Sequence, residues 1–214
     1  MRIKRLSLGW TAVLTILGLT LLVTTTRAAA QTETVLYSFS SPSGYSPLAG
    51  LAFDAAGNLY GHDFGRHPCL RSRYGVSVTP ATGGGWTATF LKDFGYGQGG
   101  PTGLILDADG NLCFGTAGGG ASGGGAVFEL MPQAGGGWSE KQLHQFGQGT
   151  DGLGPNGSLV FDSAGNLYGA TYGGGAYGGG LGTVFKLTPG ANGVWTEKVL
   201  HSFGSNSTDG THPL

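Results

Sequence analysis

Side chains that could bind a metal ion gather in one short stretch of the chain. His62, Asp63, His67 and Cys69 supply imidazole, carboxylate and thiol groups, which are the ligand types of protein zinc sites. Their spacing matches none of the compact zinc-ligand patterns. The stretch therefore predicts a variable surface loop without a metal, although His62, Asp63 and His67 are the first place to look for specific ligand binding.

A second metal-like motif is incomplete. Asp107 and Asp109 alternate in the way that the ligands of a calcium-binding loop begin, but that loop ends in a glutamate, and Gly118 stands there instead. Asp54 and Asp162, at the equivalent positions of an internal repeat, are followed by small residues. We interpret all three aspartates as turn-capping residues and predict no metal ligand among them.

Two histidines share one position of the same repeat. His144 and His201 each follow a leucine, and the other copies carry Lys92 and Tyr37 at this position. A position that accepts any long polar side chain predicts a packing or surface role rather than ligation.

Glycine-rich stretches at 118–125 and 173–180 lack the Lys-Ser/Thr pair of a phosphate-binding loop. Tyr172 and Tyr177 lie at the second stretch, where they could stack on a sugar ring; ordinary loop aromatics are the alternative. No set of acid, base and nucleophile recurs between the repeats. We therefore predict no catalytic residue and no cofactor.

The strands and turns that position these residues must form from a chain that is unusually rich in glycine. The chain has 45 glycines in 214 residues, 39% hydrophobic residues and a formal net charge of −1. Enough apolar surface is present to build a core, so disorder is disfavoured. The glycines do not recur at every third position, which excludes collagen, and the low share of charged residues excludes a basic nucleic-acid-binding protein.

Residues 1–30 have the features of an export signal. Three basic residues precede an uncharged stretch over 6–26, and an Ala-x-Ala sequence ends at Ala30. We predict a signal peptide cleaved after Ala30 and an extracellular, cell-surface or periplasmic location. An uncleaved membrane anchor is the alternative.

Removal of this segment leaves a mildly acidic chain. Four of the 11 basic residues lie in it, so 7 basic and 12 acidic residues remain, with a net charge of −5. This charge disfavours nucleic acid and anionic lipid as partners and leaves a neutral partner, such as a glycan or another protein. Whether Cys69 and Cys113 form a disulfide in such a chain stays open.

The remainder, 31–214, is organised by a repeat of about 55 residues. The segment Asp162-Ser-Ala-Gly-Asn-Leu-Tyr168 matches segments that begin at Asp54 and Asp107, and tryptophans recur with it. Each copy contains four strand-like runs, and Asp-x-x-Gly-Asn closes the first hairpin. These features predict an all-β fold, a β-propeller-like array of four-stranded antiparallel blades, with a β-solenoid as the alternative.

The blade count does not close a ring. We place blades at about 47–94, 101–146 and 155–203, an orphan outer strand at 33–39, and the start of a fourth blade at 204–214. Closed propellers have about four to eight blades. We therefore expect a fragment of a longer protein. The alternatives are self-association through open blade edges into a multi-chain ring, and a stable open wedge of three blades.

Four consecutive motifs in 165–203 carry a family resemblance. They are Gly-Asn-Leu-Tyr-Gly-x-Thr, Gly-Gly-Gly-Ala-x-Gly-Gly-Gly, Gly-Thr-Val-Phe-Lys-Leu-Thr-Pro and Val-Leu-His-Ser-Phe. The chain resembles the GloVer (Gloeobacter/Verrucomicrobia-type) tandem repeat of bacterial exported proteins, and more loosely the blades of NHL and lactonase propellers. The first copy departs from the pattern, because His62 to Tyr74 replaces the triple-glycine loop.

The resemblance implies a secreted or surface-displayed repeat array. With the absence of a recurring catalytic set, it predicts an exported, non-catalytic binding or structural module. The looser likeness implies the alternative of a lactonase-like hydrolase or lyase that depends on a divalent metal.

Overall fold

The structure is a computed structural model that describes residues 33–39, 45–47, 50–67, 70–94 and 99–213. The predicted signal peptide over 1–30 and Cys69 lie outside the described residues. Every strand that is described falls within Leu36–Leu214. Within the described ranges, no helix has the length and apolar character needed to cross a membrane.

Within these ranges, three antiparallel sheets follow one another along the chain, each made of consecutive strands. Sheet 1 contains β1 (Tyr45–Pro47), β2 (Ala52–Phe53), β3 (Leu59–His67), β4 (Leu70–Pro80) and β5 (Trp86–Asp93), and both β1 and β2 pair with β3. Sheet 2 contains β6 (Pro101–Leu106), β7 (Leu112–Thr116), β8 (Ala126–Pro132) and β9 (Trp138–Gln145). Sheet 3 contains β10 (Gly152–Phe161), β11 (Leu167–Gly174), β12 (Thr183–Pro189) and β13 (Trp195–Ser202).

This architecture confirms the predicted fold class, an all-β array of propeller-like blades in an open arrangement. Successive side chains of a strand point to opposite faces of the sheet. Leu112 and Phe114 of β7 pack with Tyr60 of sheet 1, whereas Cys113 packs with Leu167 of sheet 3. Sheet 2 is therefore buried on both faces, as a blade between two neighbours must be.

Residues 33–39 differ from the prediction of an orphan outer strand, because the structure assigns no strand to them. Tyr37 and Phe39 pack instead against Leu59, with their ring centroids 5.0 Å apart. A strand requires pairing with a neighbouring backbone edge, and none of the described strands pairs with these residues. Apolar contact holds this segment without a ladder of hydrogen bonds.

The segment after sheet 3 repeats the path of the segment after sheet 2. A Cβ built on Gly182 would lie 2.8 Å from Pro213, and one built on Gly125 would lie 2.7 Å from Pro155, the residue that aligns with Pro213. Both glycines have positive φ, +101° and +82°, so the backbone and the proline together require glycine there.

Equivalent leucines in the outer strands give a direct test of this packing. Leu143 is 6% exposed between sheets 2 and 3, whereas Leu200, its counterpart in sheet 3, is 46% exposed. We expect Leu143→Ala to lower the free energy of unfolding by about 2–5 kcal/mol, and Leu200→Ala to lower it by less than about 1 kcal/mol. Urea denaturation measures both values. Equal losses of unfolding free energy in the two variants would contradict the exposure of Leu200 on sheet 3.

Candidate functional site

The same aspartate-centred turn closes the first hairpin of every sheet. In sheet 3, Asp162 Oδ1 accepts the backbone N–H groups of Ala164 and Asn166, both at 2.9 Å. Asp162 Oδ2 accepts the Asn166 side-chain amide at 2.7 Å and the Tyr168 hydroxyl at 2.9 Å. Gly165 has a φ of +78° and completes the turn. The geometry confirms the turn-capping interpretation, because both carboxylate oxygens are already engaged.

These hydrogen bonds lower the pKa of the turn aspartates in sheets 1 and 3. The Asn166 side chain makes the largest contribution in lowering the pKa of Asp162 to about 2, and the Tyr168 hydroxyl adds to it. Burial opposes the shift at Asp54, but hydrogen bonds led by Asn58 outweigh it and leave its pKa below the ordinary value. A donated hydrogen bond favours the charged form of a carboxyl group.

Sheet 2 carries Cys113 where the other sheets carry the turn tyrosine. Cys113 has a free, fully buried thiol, and burial raises its pKa. The thiol is therefore held in its neutral form, which is poorly reactive. The Asn111 side chain bonds Asp107 at 2.8 Å and reaches across to Glu129 at 3.2 Å.

A cleft of about 580 Å³ opens at the other end of the strands, between sheets 2 and 3. We call it the glycine cleft, because glycine backbone forms most of its wall: Gly123, Gly124, Gly154, Gly173, Gly174, Gly179 and Gly180. Its larger side chains are Leu153, Asn156 and Tyr172, and none of the described residues that line it is charged. Tyr172 is 51% exposed, and its ring centroid lies 4.4 Å from that of His212.

Glycine is required at the rim of this cleft by contact as well as by conformation. Gly174 has a φ of +77°, and a Cβ built on it would lie 2.5 Å from the carbonyl oxygen of Asp151. Any side chain there would force the two backbones apart. The cleft wall is thus largely peptide backbone, whose N–H and C=O groups are polar but carry no charge.

A polar cluster joins the outer strands of sheets 2 and 3. His144 lies near the end of β9, Asp151 in the connection to β10, and Glu197 in β13. His144 Nε2 lies 3.1 Å from Asp151 Oδ2. Burial and the negative charge of Asp151 raise the pKa of Glu197, while His144 opposes the shift.

A family model described as the Gloeobacter/Verrucomicrobia repeat matches residues 20–214. The chain belongs to the Gloeobacter/Verrucomicrobia repeat family. The match includes all three sheets of this repeat protein, and with them the aspartate turns, the glycine cleft and the polar cluster. No curated protein matches the chain.

The first sheet of this repeat protein departs from the prediction for His62 to Tyr74. The prediction of a surface loop there is wrong, since β3 and β4 continue the ladder to the pair His67 and Leu70. This stretch has few glycines compared with 118–125 and 173–180, so strand pairing is not interrupted. His62 is 6% exposed, and Asp63 pairs with Tyr74 across the hairpin.

The tyrosines predicted to stack on a sugar separate in the structure. Tyr172 lines the glycine cleft, whereas Tyr177, 45% exposed, is not among its lining residues. The sequence reasoning missed the polar cluster. One sequence feature could have indicated it. A Trp-x-Glu motif precedes the histidine in both β9 and β13, so each of these strands carries a glutamate and a histidine.

The turn hydrogen bonds predict a defined titration of Asp162. We expect its carboxyl to titrate at about pH 2 and Tyr168→Phe to raise that pKa toward the ordinary 3.8. Because the pKa is lowered on folding, the turn contributes full stability above pH 3.8, and this contribution is lost as the pH falls toward 2. Carbon NMR of the carboxyl groups follows the titration.

Tyr60→Phe is the matched control, because Tyr60 bonds Asp54 and leaves Asp162 untouched. An Asp162 titration that is the same with and without the Tyr168 hydroxyl would show that this bond does not tune the turn.

Proposed function

We propose that this repeat protein is an exported, non-catalytic module that binds a neutral glycan in the glycine cleft. The observation that carries the proposal is Tyr172, an exposed aromatic ring in a cleft whose described lining residues carry no charge. Ligand sites combine apolar or aromatic contact area with a few polar groups that orient the ligand.

The groups at the cleft match the two kinds of surface that a sugar presents. The C–H face of a pyranose ring can lie on the Tyr172 ring, and its hydroxyls can bond peptide groups of the glycine wall and the Asn156 amide. An acidic ligand would find no cationic side chain among the described lining residues. The net charge of −5 after loss of residues 1–30 also disfavours it.

Export is supported by the order of residue types at the N-terminus. A basic start, an uncharged stretch over 6–26 and an Ala-x-Ala sequence ending at Ala30 form the pattern of a signal peptide. Such a protein meets glycans at the cell surface, in the periplasm or outside the cell, which fits the proposed ligand class.

Metal-dependent hydrolysis gains no support from the aspartates that it would need. Asp107 and Asp162 line a separate cleft of about 470 Å³ with Glu129. Both aspartates are engaged in their turns, with bonds from Asn111 and Asn166 of 2.7 to 2.9 Å. Their role in closing the hairpins accounts for their positions.

A glycan array followed by calorimetry tests the proposal, with Tyr172→Ala as the variant and Tyr177→Ala as the matched control. We expect reproducible binding of uncharged glycans and about tenfold weaker binding for Tyr172→Ala, the loss of a stacking contact of about 1.4 kcal/mol. Tyr177→Ala should bind as the parent protein does.

Two results would overturn this assignment. An array without hits would remove the ligand class, and equal affinity of the Tyr172→Ala protein would place the ligand elsewhere.

A further inference from the structure

Three potential metal ligands meet between the outer strands of sheets 2 and 3. His144, Asp151 and Glu197 each offer one ligand atom, and these atoms all lie within 4.8 Å of one another. They come from β9, the β9–β10 connection and β13, so the cluster exists only when the two sheets are packed together. All three side chains are partly buried.

One carboxylate oxygen of this cluster has no hydrogen-bond donor among the described residues. His144 Nε2 and Asp151 Oδ2 lie 3.1 Å apart, and Asp151 Oδ1 accepts the backbone N–H of Gly152 at 2.7 Å. Glu197 Oε1 is buried and has no hydrogen-bond partner among the described residues. A buried carboxylate oxygen without a partner is costly, so a positive group is expected near it.

The interface between sheets 1 and 2 has a cation beside the equivalent glutamate. Glu140 occupies the position in sheet 2 that Glu197 occupies in sheet 3, and Lys92 occupies in sheet 1 the position of His144. Lys92 Nζ lies 3.4 Å from Glu140, so a permanent cation faces the glutamate between sheets 1 and 2. Between sheets 2 and 3 the ammonium is replaced by an imidazole whose nitrogen already faces Asp151. At these positions the second interface therefore has an imidazole and the additional carboxylate of Asp151, where the first has the Lys92 ammonium.

We propose that a divalent transition-metal ion of the zinc class binds there, held by the His144 imidazole and by the carboxylates of Asp151 and Glu197. An imidazole nitrogen with two carboxylates favours zinc-type ions over calcium or magnesium, which prefer all-oxygen sites. Water completes a tetrahedral shell around three protein ligands. The ion joins sheet 2 to sheet 3, in the place that the Lys92–Glu140 pair holds at the other interface.

The chain supplies an internal comparison for this site. His201 Nε2 lies 3.1 Å from Asp209 Oδ1 and repeats the His144–Asp151 pair after sheet 3. Within the described residues, no third ligand accompanies that pair. Among the described residues, only the copy between sheets 2 and 3 has the three protein ligands expected of a stable site, and none of these three residues lines the glycine cleft.

Zinc titration of the purified protein tests the inference. We expect calorimetry with Zn²⁺ to show one tight site per chain and Glu197→Gln to weaken it at least tenfold, since loss of even an outer partner of a metal ligand costs about 10–100-fold. Glu140→Gln, the matched control at the equivalent repeat position, should bind Zn²⁺ with unchanged affinity. Excess Zn²⁺ should raise the Tm of the parent protein, because the ion binds only the folded chain.

The ring signals of the histidines give a second readout that does not depend on any carboxylate variant. Zn²⁺ should shift the His144 imidazole signals in NMR spectra of the parent protein and of His201→Gln, which removes the two-ligand pair. Absence of one-to-one binding, unchanged affinity in Glu197→Gln, or a shift confined to His201 would each overturn the proposal. Glycan binding plays no part in this outcome.

Discussion

Burial of sheet 2 on both of its faces is the constraint on which the rest of the structure depends. Alternating residues of β7 leave Leu112 and Phe114 toward sheet 1 and Cys113 toward sheet 3. A strand with apolar groups on both sides cannot remain in water, so the sheet requires a neighbour on each face. The spacing of the repeat supplies those neighbours, and the aspartate turns fix the hairpin that begins each one.

Both proposed sites lie where sheet 2 meets sheet 3. Inside each sheet the repeated residues maintain the turns and the core. Between sheets 2 and 3, equivalent positions carry different groups: His144 stands where sheet 1 has Lys92, and Asp151 has no equivalent acidic residue before β6. Such changes leave the hydrophobic contacts intact, so a repeat can acquire a binding site without a change of fold.

The sequence was sufficient to predict features that are local or repeated. The turn around Asp162 and Gly165 follows from side-chain chemistry within a few residues, and the blade architecture follows from the repeat. The extension of β3 and β4 to His67 and Leu70 was missed, because motif comparison assumed a loop wherever the other copies have one. The pairing of β3 with β4 continues through this stretch instead.

The polar cluster was beyond prediction for a different reason. His144 and Glu197 lie more than fifty positions apart in the chain, and only the packing of one sheet on the next brings their side chains together. The strand predicted at 33–39 is not formed, because a strand needs the edge of a neighbouring strand as well as a suitable sequence. Both cases depend on neighbours that a single repeat unit does not specify.

Amide hydrogen exchange of the purified protein tests the central constraint most directly. If sheet 2 is held between two neighbours, the amides of β7 and β8 should exchange most slowly, and those of the outer strands β5 and β13 should exchange faster. Exchange of β7 and β8 at the rate of the outer strands would contradict an array organised around a sheet buried on both faces.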